Sequence, residues 1–403
     1  MNCTATDDAD DVRTVLVVHN RYQHPGGEDT VVDTEIALLR SVGLEVVTMF
    51  AESADAAAMG RVKSRPDRLV FNREAHTAAR ALIRARRVDL VHCHNLVPLL
   101  STSIYTAAAS EGIPVVQTVH NYRMGCLNGL HLRDSAICER CRPGWHLPGM
   151  ALGCYRGSRP QSVAFGATQT INAWRGTWRQ PTRYITPGEF LRDRLVAWGI
   201  PGEKVIVKPH FAPDDPGVRE QERPYALFVG RLSTEKGLDL LLDAWHAERL
   251  PLVIAGDGPL RPHLERRVLA ERKANVRFAG QQDRDGVHAL LDRARFLVMP
   301  SVWYETFGLV IIEAYAHGVP VIATALGAMV DVVDDNVTGM LFPLNDRAGL
   351  GDKLTAMEAQ SERYVAMRAA ARRAYLERYS AAANAVQLRA IYRDARHALA
   401  TAT

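Results

Sequence analysis

Basic side chains lie where a short apolar run gives way to a predicted helix. Arg231 and Lys236 occupy the segment 230–237, between the run Tyr225–Val229 and a helix expected to begin at Leu238. Two cations beside the unpaired backbone N–H groups of a helix N-terminus can hold a diphosphate. The alternative is an ordinary surface turn that contains basic residues. The segment is therefore a candidate anion site.

Two carboxylates lie in a later segment, which again follows an apolar run and leads into a predicted helix. Glu305 follows the run Phe296–Met299, and Glu313 comes eight residues later, in an apolar helix expected to begin near Gly308. A carboxylate in an apolar helix is costly unless hydroxyl or N–H groups satisfy it. A ligand with a diol would satisfy Glu313. The spacing would let the two carboxylates address opposite ends of one extended polar ligand.

Paired glycines follow two other predicted strands. Gly256 and Gly258 come after Leu252–Ala255, and Gly26 and Gly27 come after the first strand. Glycine lets a backbone approach a ligand closely. A tight turn explains Gly256 and Gly258 equally well, so these pairs are weaker indications than the carboxylates.

Histidines follow three predicted strands near the N-terminus. They are His19, the pair His92 and His94, and His120. A single histidine is more often structural than catalytic, but these share one expected edge of a sheet. His120 stands directly at a strand end and is the best placed of them for a catalytic role.

The elements that carry these residues alternate between short β-branched runs and helix-length amphipathic segments. This alternation is typical of a parallel sheet covered by helices on both faces. It breaks in a proline- and acid-rich stretch and restarts at Tyr225. We therefore predict two doubly wound α/β domains, 12–212 and 225–376, joined by a linker at 213–224. Ligands of such sheets bind beyond the carboxyl ends of the strands.

Composition narrows the class of protein. The chain has 403 residues, 47% of them hydrophobic and 23% charged, as expected for a folded protein of more than one domain. No apolar run is long enough to span a bilayer, and the acidic start of the chain argues against a signal peptide, so we expect a cytoplasmic protein. The net charge of +4 is mild, and the basic residues are not interleaved with aromatic ones, which argues against nucleic-acid binding.

A cysteine-rich insert, 123–158, follows His120. Four of its cysteines fall within 29 residues: Cys126, Cys138, Cys141 and Cys154. Two of them form a C-x2-C knuckle, and His131 or His146 could replace one thiolate. This spacing predicts a structural zinc site in a cytoplasmic protein. Reduced thiols packed in a loop and disulfides are the alternatives.

A basic segment suggests a membrane contact. Between positions 61 and 87 there are nine Lys or Arg residues and two acidic ones, and Ala75–Arg87 has an amphipathic helical pattern. Such a face could bind anionic lipid and bring the protein to a lipid-linked acceptor. A solvated helix face is the alternative.

Taken together, these motifs resemble the retaining glycosyltransferases of GT-B fold in family GT4, over nearly the whole chain. The resemblance rests above all on Glu305-x7-Glu313 enclosing Phe307, Gly308 and Leu309, after the basic turn Gly230-Arg231-x4-Lys236. The glycine pairs agree with it. The cysteine-rich insert resembles that of a bacterial subgroup.

The resemblance assigns roles to the donor-side residues. Arg231 and Lys236 would neutralise the diphosphate of a nucleotide-sugar, Glu313 would bind the ribose hydroxyls, and Glu305 would bind the donor sugar. Further backbone contacts would come from Gly230, Gly256, Gly258, Phe307, Gly308 and Leu309. The base would rest against the loop near Gly280 and Gln281. Gly26 and Gly27 would close on the phosphates from the other domain, and His120 would sit by the transferred sugar.

The resemblance also implies an activity. It is transfer of a sugar from a UDP- or GDP-linked donor to a sugar, lipid-linked or small-molecule acceptor, with retention and without a required cofactor or metal. A role in cell-surface polysaccharide or glycolipid synthesis would follow. The two domains would close around the substrates, and a C-terminal helix, 377–403, would cross back to the first domain. The rival functions are a GT-B nucleotide-sugar epimerase or hydrolase, and a non-catalytic nucleotide-sugar-binding protein.

Overall fold

The computed structural model describes residues 12–23, 26–55, 57, 59–60, 64–359 and 361–401. The chain divides into two compact units. The first contains the described residues up to Leu130, residues 139–208 and those from Asn384 onward. The second contains residues 131–138 and 209–383. The cysteine-rich insert is thus divided between the two units.

The first unit and the insert contain eight strands among the described residues. In chain order they are β1 (Thr14–Arg21), β2 (Glu45–Glu52), β3 (Leu90–Cys93), β4 (Val115–Thr118), the hairpin strands β5 (Leu132–Arg133) and β6 (Ala136–Ile137), β7 (Arg183–Thr186) and β8 (Val205–Val207). Six of them form a parallel sheet in the order β2-β1-β3-β4-β7-β8. The strand order reverses between β1 and β3, and in such sheets ligands bind at this point.

The helices that accompany these strands are α1 (Gly27–Ser41), α2 (Asp67–Val70), α3 (Arg73–Arg86), α4 (Ser103–Ser110), α5 (Leu147–Ala151), α6 (Arg159–Trp174) and α7 (Glu189–Ala197). Short 3-10 turns lie at Thr177–Arg179 and Gly202–Lys204. Asn72 begins α3 by accepting hydrogen bonds from the N–H groups of Glu74 and Ala75, which is the usual role of an asparagine N-cap.

The second unit contains β9 (Tyr225–Val229), β10 (Leu252–Ala255), β11 (Val276–Gly280), β12 (Ala294–Met299), β13 (Val321–Thr324) and β14 (Gly339–Phe342). All pairs are parallel, in the order β11-β10-β9-β12-β13-β14. This is the order of the dinucleotide-binding Rossmann fold, whose ligand crevice lies where the order reverses, here between β9 and β12.

The helices of the second unit are α8 (Leu238–Ala244), α9 (Arg261–Ala270), α10 (Arg284–Arg293), α11 (Leu309–Ala316), α12 (Met329–Val332), α13 (Arg347–Glu358) and α14 (Glu362–Ala374). A 3-10 turn at Thr234–Lys236 precedes α8, and a π-helical turn, Tyr375–Tyr379, follows α14. Every residue of β10 and β13 is buried. Their uninterrupted apolar runs therefore reflect strands covered on both faces.

The last helix, α15 (Ala381–Ala400), packs on the first unit. Leu388, Ile391 and Ala395 share one face of α15 and join the core formed by Val15 and Ile36. Removing apolar side chains from water in this way is the main favourable contribution to such packing. The helix predicted to cross back to the first domain was expected to begin at residue 377. Residues 377–383, however, group with the second unit.

The expected linker, 213–224, packs as part of the second unit, whose main segment begins at Pro209. The Tyr375 hydroxyl donates to the carbonyl oxygen of Asp214 at 2.9 Å, and Arg372 pairs with Asp215 at 2.6 Å. The predicted strands at Tyr225–Val229 and Leu252–Ala255 are confirmed with their bounds. Strands β7 and β14 lie outside the predicted runs. No helix in the described part of the chain is long and apolar enough to cross a bilayer.

Candidate functional site

Lys236 and Glu305 meet at the switch point of the second sheet. Lys236 follows β9 and Glu305 follows the neighbouring strand β12, and Lys236 Nζ lies 2.6 Å from Glu305 Oε1. The Ser301 hydroxyl donates to the same carboxylate oxygen at 2.7 Å. Both charged side chains are largely buried, so their interaction is weakly screened by solvent. The side chains of Lys236 and Glu305 are thus direct neighbours.

Gly237 lets the two loops approach each other. It has φ +68°, and a Cβ atom there would lie 1.9 Å from the carbonyl oxygen of Pro300. The Val302 N–H group donates to the carbonyl oxygen of Glu235 at 2.9 Å, which joins the loops directly. The backbone therefore fixes Lys236 beside Glu305, and a side chain at position 237 would separate them.

Arg231 differs from Lys236 in its surroundings. Its side chain is exposed, and it makes no ion pair with an acidic group within the described residues. It therefore supplies a charge near the carboxyl end of β9 that is available to an anion.

Glu313 is a half-buried carboxylate on α11. Within the described residues it makes no hydrogen bond or ion pair, and burial raises the pKa of its carboxyl above the usual value. His288 and Arg284 oppose that shift, and Asp214 adds to it. An unsatisfied carboxylate at this depth is unfavourable unless a ligand donates hydrogen bonds to it. Binding of ribose hydroxyls by Glu313 remains a prediction.

A chain of hydrogen-bonded groups, not predicted from the sequence, lies behind Glu313. His317 Nδ1 is 2.7 Å from Asp292 Oδ1, and His288 Nδ1 is 2.8 Å from His317 Nε2. Burial lowers the pKa of His317 to about 4, so this residue is neutral at pH 7. His288 alone among these three residues approaches Glu313 closely enough to affect its pKa.

The other glycines of the predicted donor site have a packing role. A Cβ atom at Gly256 would lie 1.9 Å from the carbonyl oxygen of Gly230, and one at Gly258 would lie 2.5 Å from that of Leu232. The N–H group of Gly256 donates to the carbonyl oxygen of Gly280 at 2.7 Å. Close backbone approach between neighbouring loops thus accounts for these glycines, and their contact with a donor remains a prediction.

Phe307, Gly308 and Leu309 lead into the N-terminus of α11. The Phe307 ring is buried against His210, with ring centroids 5.1 Å apart. Its side chain is therefore not exposed to a ligand. Gly308 precedes the helix with φ +93°. Unpaired N–H groups and the helix dipole make such a helix start suitable for an anion.

His120 in the first unit belongs to a buried polar network. His120 Nε2 lies 2.9 Å from His94 Nδ1, and His94 Nε2 lies 3.4 Å from Glu35 Oε1. Lys208 Nζ lies 3.3 Å from the other oxygen of Glu35. Desolvation acts to raise the pKa of the Glu35 carboxyl, but the Lys208 ammonium holds it well below the usual range. The network therefore contains an ionised carboxylate one histidine away from His120.

The helix α15 contributes to the same network. Asn384 accepts a hydrogen bond from Lys208 Nζ at 3.0 Å, and the Tyr392 hydroxyl lies 2.7 Å from His92 Nδ1. Burial lowers the pKa of His92 to about 3, so His92 is neutral. Glu35, His92 and His94 are also the one group of three metal-ligating side chains within 4.8 Å in the described residues. The Lys208 ammonium already balances the Glu35 charge, which makes a cation there unfavourable.

His19 has a structural role, which agrees with the expectation for a single histidine. It is fully buried, and its Nε2 atom lies 2.9 Å from Asp29 Oδ1. The other oxygen of Asp29 accepts a hydrogen bond from the Gly26 N–H group at 3.1 Å. Of the N–H groups predicted to face a phosphate, that of Gly26 is therefore already in use, while Gly27 opens α1. Pro25 lies outside the described residues.

A cavity of about 70 Å³ adjoins His120. Glu28, Asn121 and Arg123 contribute to its wall. The Tyr22 hydroxyl donates to Glu28 Oε2 at 2.6 Å, and Glu28 Oε1 is buried without a hydrogen-bond partner in the described residues. In the sequence, Glu28 stands out only as the end of a glycine motif. The structure adds it to the candidate site, because its unsatisfied oxygen can accept a hydrogen bond from a hydroxyl group.

The cysteines of the insert differ in burial. Cys126 is buried, and Cys138, Cys141 and Cys154 are half-buried. A Cβ atom at Gly149 would lie 3.2 Å from Cys141 Sγ, and the Cys154 N–H group donates to the Gly149 carbonyl oxygen at 3.0 Å. Cys141 and Cys154 are thus neighbours through Gly149. Zinc binding by the four cysteines remains a prediction.

Ion pairs neutralise much of the basic segment predicted to contact a membrane. Arg80 and Arg84 both pair with Glu111, and Arg68 pairs with Glu74. Arg65 pairs with Asp67 and Arg86 with Glu45. Positions 61–63 lie outside the described residues. The described part of this segment therefore carries less uncompensated charge than its sequence suggests.

The two Rossmann-like units, each with polar groups at its switch point, define the GT-B class of fold. The family description "Glycosyltransferase Family 4" matches residues 25–216, and the description "Glycosyl transferases group 1" matches residues 214–374. The D-inositol 3-phosphate glycosyltransferase of Xylanimonas cellulosilytica is 35% identical over 318 residues, which cover 71% of this chain and 67% of that protein. The chain belongs to glycosyltransferase family 4.

Two further comparisons agree with this assignment. The glycosyltransferase MJ1607 of Methanocaldococcus jannaschii is 28% identical over 273 residues, which cover 64% of this chain and 63% of MJ1607. The chain therefore spans slightly less than two thirds of that relative. The structure of the Anabaena protein HepE in complex with UDP and glucose superposes with a TM-score of 0.62 at 14% identity, and covers 93% of this chain and 97% of that one. This likeness concerns the fold.

Proposed function

We propose that the protein is a retaining glycosyltransferase that transfers a sugar from a nucleotide-diphosphate sugar to an acceptor hydroxyl. The observation that carries the proposal is the group at the switch point of the second sheet. Lys236 and Glu305 are 2.6 Å apart there, and Glu313 on α11 is a half-buried carboxylate without a partner in the described residues. A diphosphate requires cations, and a ribose diol supplies the donors that Glu313 lacks.

Each residue has a distinct task in this proposal. Arg231 and Lys236 stabilise the negative charge that develops on the departing diphosphate. Glu305 holds Lys236 in place and binds a donor-sugar hydroxyl, while Glu313 binds the ribose. In the first unit, His120 contacts the transferred sugar, and the free oxygen of Glu28 accepts a hydrogen bond from the acceptor. The protein acts mainly by orienting two substrates and balancing charge.

The donor nucleotide is UDP or GDP in this proposal. HepE, which shares the fold, forms a complex with UDP and glucose, and this supports a uridine nucleotide as the first candidate. The acceptor belongs to cell-surface polysaccharide or glycolipid synthesis, and it is a sugar or a lipid-linked molecule presented at the membrane. Structural zinc in the cysteine-rich insert belongs to the same proposal.

Nucleotide binding is the first test. The melting temperature is measured with UDP, GDP, ADP and dTDP and their common sugar conjugates, for the wild type, Glu313→Gln and the control Glu248→Gln, whose side chain is exposed in the same unit. A ligand at a hundred times its Kd stabilises the native state by about 2.7 kcal/mol. We expect one nucleotide class to stabilise the wild type and the control. Glu313→Gln should melt no lower than the wild type without ligand, because it removes an unsatisfied charge, and should lose the nucleotide effect.

Two outcomes would contradict the proposal. If no nucleotide raises the melting temperature of the folded wild type, the donor site is wrong. If a nucleotide-sugar binds but free nucleotide is released equally fast with and without acceptors, the epimerase or hydrolase function is favoured. Transfer itself is tested by the anomeric configuration of the product, which NMR coupling constants report directly.

A further inference from the structure

The arginines between residues 139 and 180 are all exposed and unpaired. They are Arg140, Arg142, Arg156, Arg159, Arg175 and Arg179, and none makes an ion pair with an acidic side chain in the described residues. The single acidic residue in this stretch, Glu139, pairs with Arg194. In the basic segment 61–87, by contrast, Glu111 pairs with both Arg80 and Arg84. The stretch therefore carries a concentrated positive charge.

Large apolar side chains are exposed in the same stretch. The exposed fractions are 51% for Trp145, 54% for Leu147, 38% for Leu152, 52% for Val163 and 78% for Trp174. Exposing side chains of this size to water is unfavourable. A cluster of them, next to unpaired cations, indicates a surface that another phase or molecule covers.

Contacts within the first unit bring two parts of this stretch together. The Trp174 indole lies against the turn at Gly144, where a Cβ atom would be 3.5 Å from its Nε1 atom. That turn joins Arg142 to Trp145, whose backbones exchange hydrogen bonds of 2.9 and 3.2 Å. Farther along, His146 Nδ1 lies 3.4 Å from the Thr170 hydroxyl. The segment that leads into α5 thus runs alongside the C-terminal half of α6.

The helix α6 contributes a continuous outer face. Val163, Ala167, Thr170 and Trp174 recur at helical spacing, and each is at least partly exposed. Arg175 ends the helix beside Trp174, and Arg159 begins it. The apolar residues thus have arginines at both ends of the helix.

We propose that this surface, formed by α5, α6 and the turn at Arg142–Trp145, docks the protein on an anionic lipid bilayer. Tryptophan side chains settle at the level of lipid headgroups, leucine and valine enter the acyl boundary, and arginines bind the lipid phosphates. A second copy of the chain fits this surface poorly, because a two-fold interface would place the unpaired arginines of both copies against each other. The docking is separate from the sugar transfer proposed above and requires no donor or acceptor.

Vesicle flotation tests the proposal with the full chain. Vesicles of phosphatidylcholine with phosphatidylglycerol are compared with vesicles of phosphatidylcholine alone, at low and high salt. We expect the wild type to float with the anionic vesicles, and salt to release it. Trp145→Ser/Trp174→Ser should lower the partition coefficient about tenfold or more. Arg142→Ser/Arg175→Ser should lower it by roughly fivefold for each arginine.

A matched pair on the second unit serves as the control. Arg266 and Leu269 lie one turn apart on α9, both are exposed, and Leu269 is 80% exposed. Arg266→Ser/Leu269→Ser should float as the wild type does. The proposal is overturned if the wild type does not float, if the control variant loses as much binding as the surface variants, or if light scattering shows that the surface variants abolish a dimer instead. Failure of flotation would leave nucleotide binding, and so the proposed transfer, unaffected.

Discussion

The network that contains His120 includes a buried ion pair between Lys208 and Glu35. The exposed fractions are 1% and 3% for the two side chains, and their charged atoms lie 3.3 Å apart. Lys208→Met would leave the Glu35 carboxylate buried without its cation, which in such pairs costs about 3–5 kcal/mol. We expect the urea midpoint of unfolding to fall accordingly, as followed by circular dichroism.

The double variant separates the pair from general damage to the core. Because Lys208→Met/Glu35→Gln removes both charges, it should regain much of the stability that Lys208→Met loses. Equal instability of the single and double variants would show that packing, not charge balance, determines the effect. The residue that depends on this balance is His94, which lies 3.4 Å from Glu35 and 2.9 Å from His120.

At the scale of elements, the loops after β9 and β12 must touch for Lys236 to meet Glu305. Gly237→Ala adds two costs: a left-handed backbone at φ +68°, and a Cβ atom 1.9 Å from the Pro300 carbonyl oxygen. The first costs about 1–2 kcal/mol and the overpacking about 1–3 kcal/mol more. We expect thermal denaturation to show this loss, and nucleotide binding to weaken as the loops separate.

Gly217→Ala is the matched control for the cost of placing alanine in a left-handed backbone conformation. Gly217 lies in the same unit with φ +72°, and nothing lies within 4 Å of the Cβ atom that alanine would add. Gly217→Ala should therefore lose only the stability that the left-handed backbone costs, and it should leave nucleotide binding unchanged. If the two variants lose equal stability, close contact between the loops does not hold this site together.

At the scale of the whole molecule, the sequence predicted both sheets but not all the contacts between side chains. Alternating apolar runs revealed the two doubly wound units and the strand ends that carry Lys236, Glu305 and His120. They did not reveal that β9 and β12 are neighbours, since strand order is a property of the folded sheet, so the contact between Lys236 and Glu305 was missed. Glu35 was missed because a charged residue in the middle of α1 resembles a surface position until its partner Lys208, 173 residues away, is known.

Buried neutral histidines in both units make the fold sensitive to acid. Burial lowers the pKa of His92 to about 3 and that of His317 to about 4, whereas both titrate near 6.5 in an unfolded chain. Between pH 6.5 and 4 the unfolded state therefore binds more protons, and the free energy of unfolding falls as the pH falls. The limiting slope is about 1.4 kcal/mol per pH unit for each histidine. Calorimetry should record a falling melting temperature over this range and little change from pH 7 to 8.

A variant of the second unit tests which groups are responsible. His317→Asn keeps a donor toward Asp292, which lies 2.7 Å from His317 Nδ1, but removes the group that titrates. It should flatten the acid slope of the second unit, while His246→Asn, at an exposed position, should leave the slope unchanged. The carboxylate of Glu35 acts at lower pH, because its pKa is held below the usual range and its contribution is lost only as the pH falls through that value. A melting temperature that stays constant from pH 6.5 to 4.5 would contradict the assignment of neutral, buried histidines to both cores.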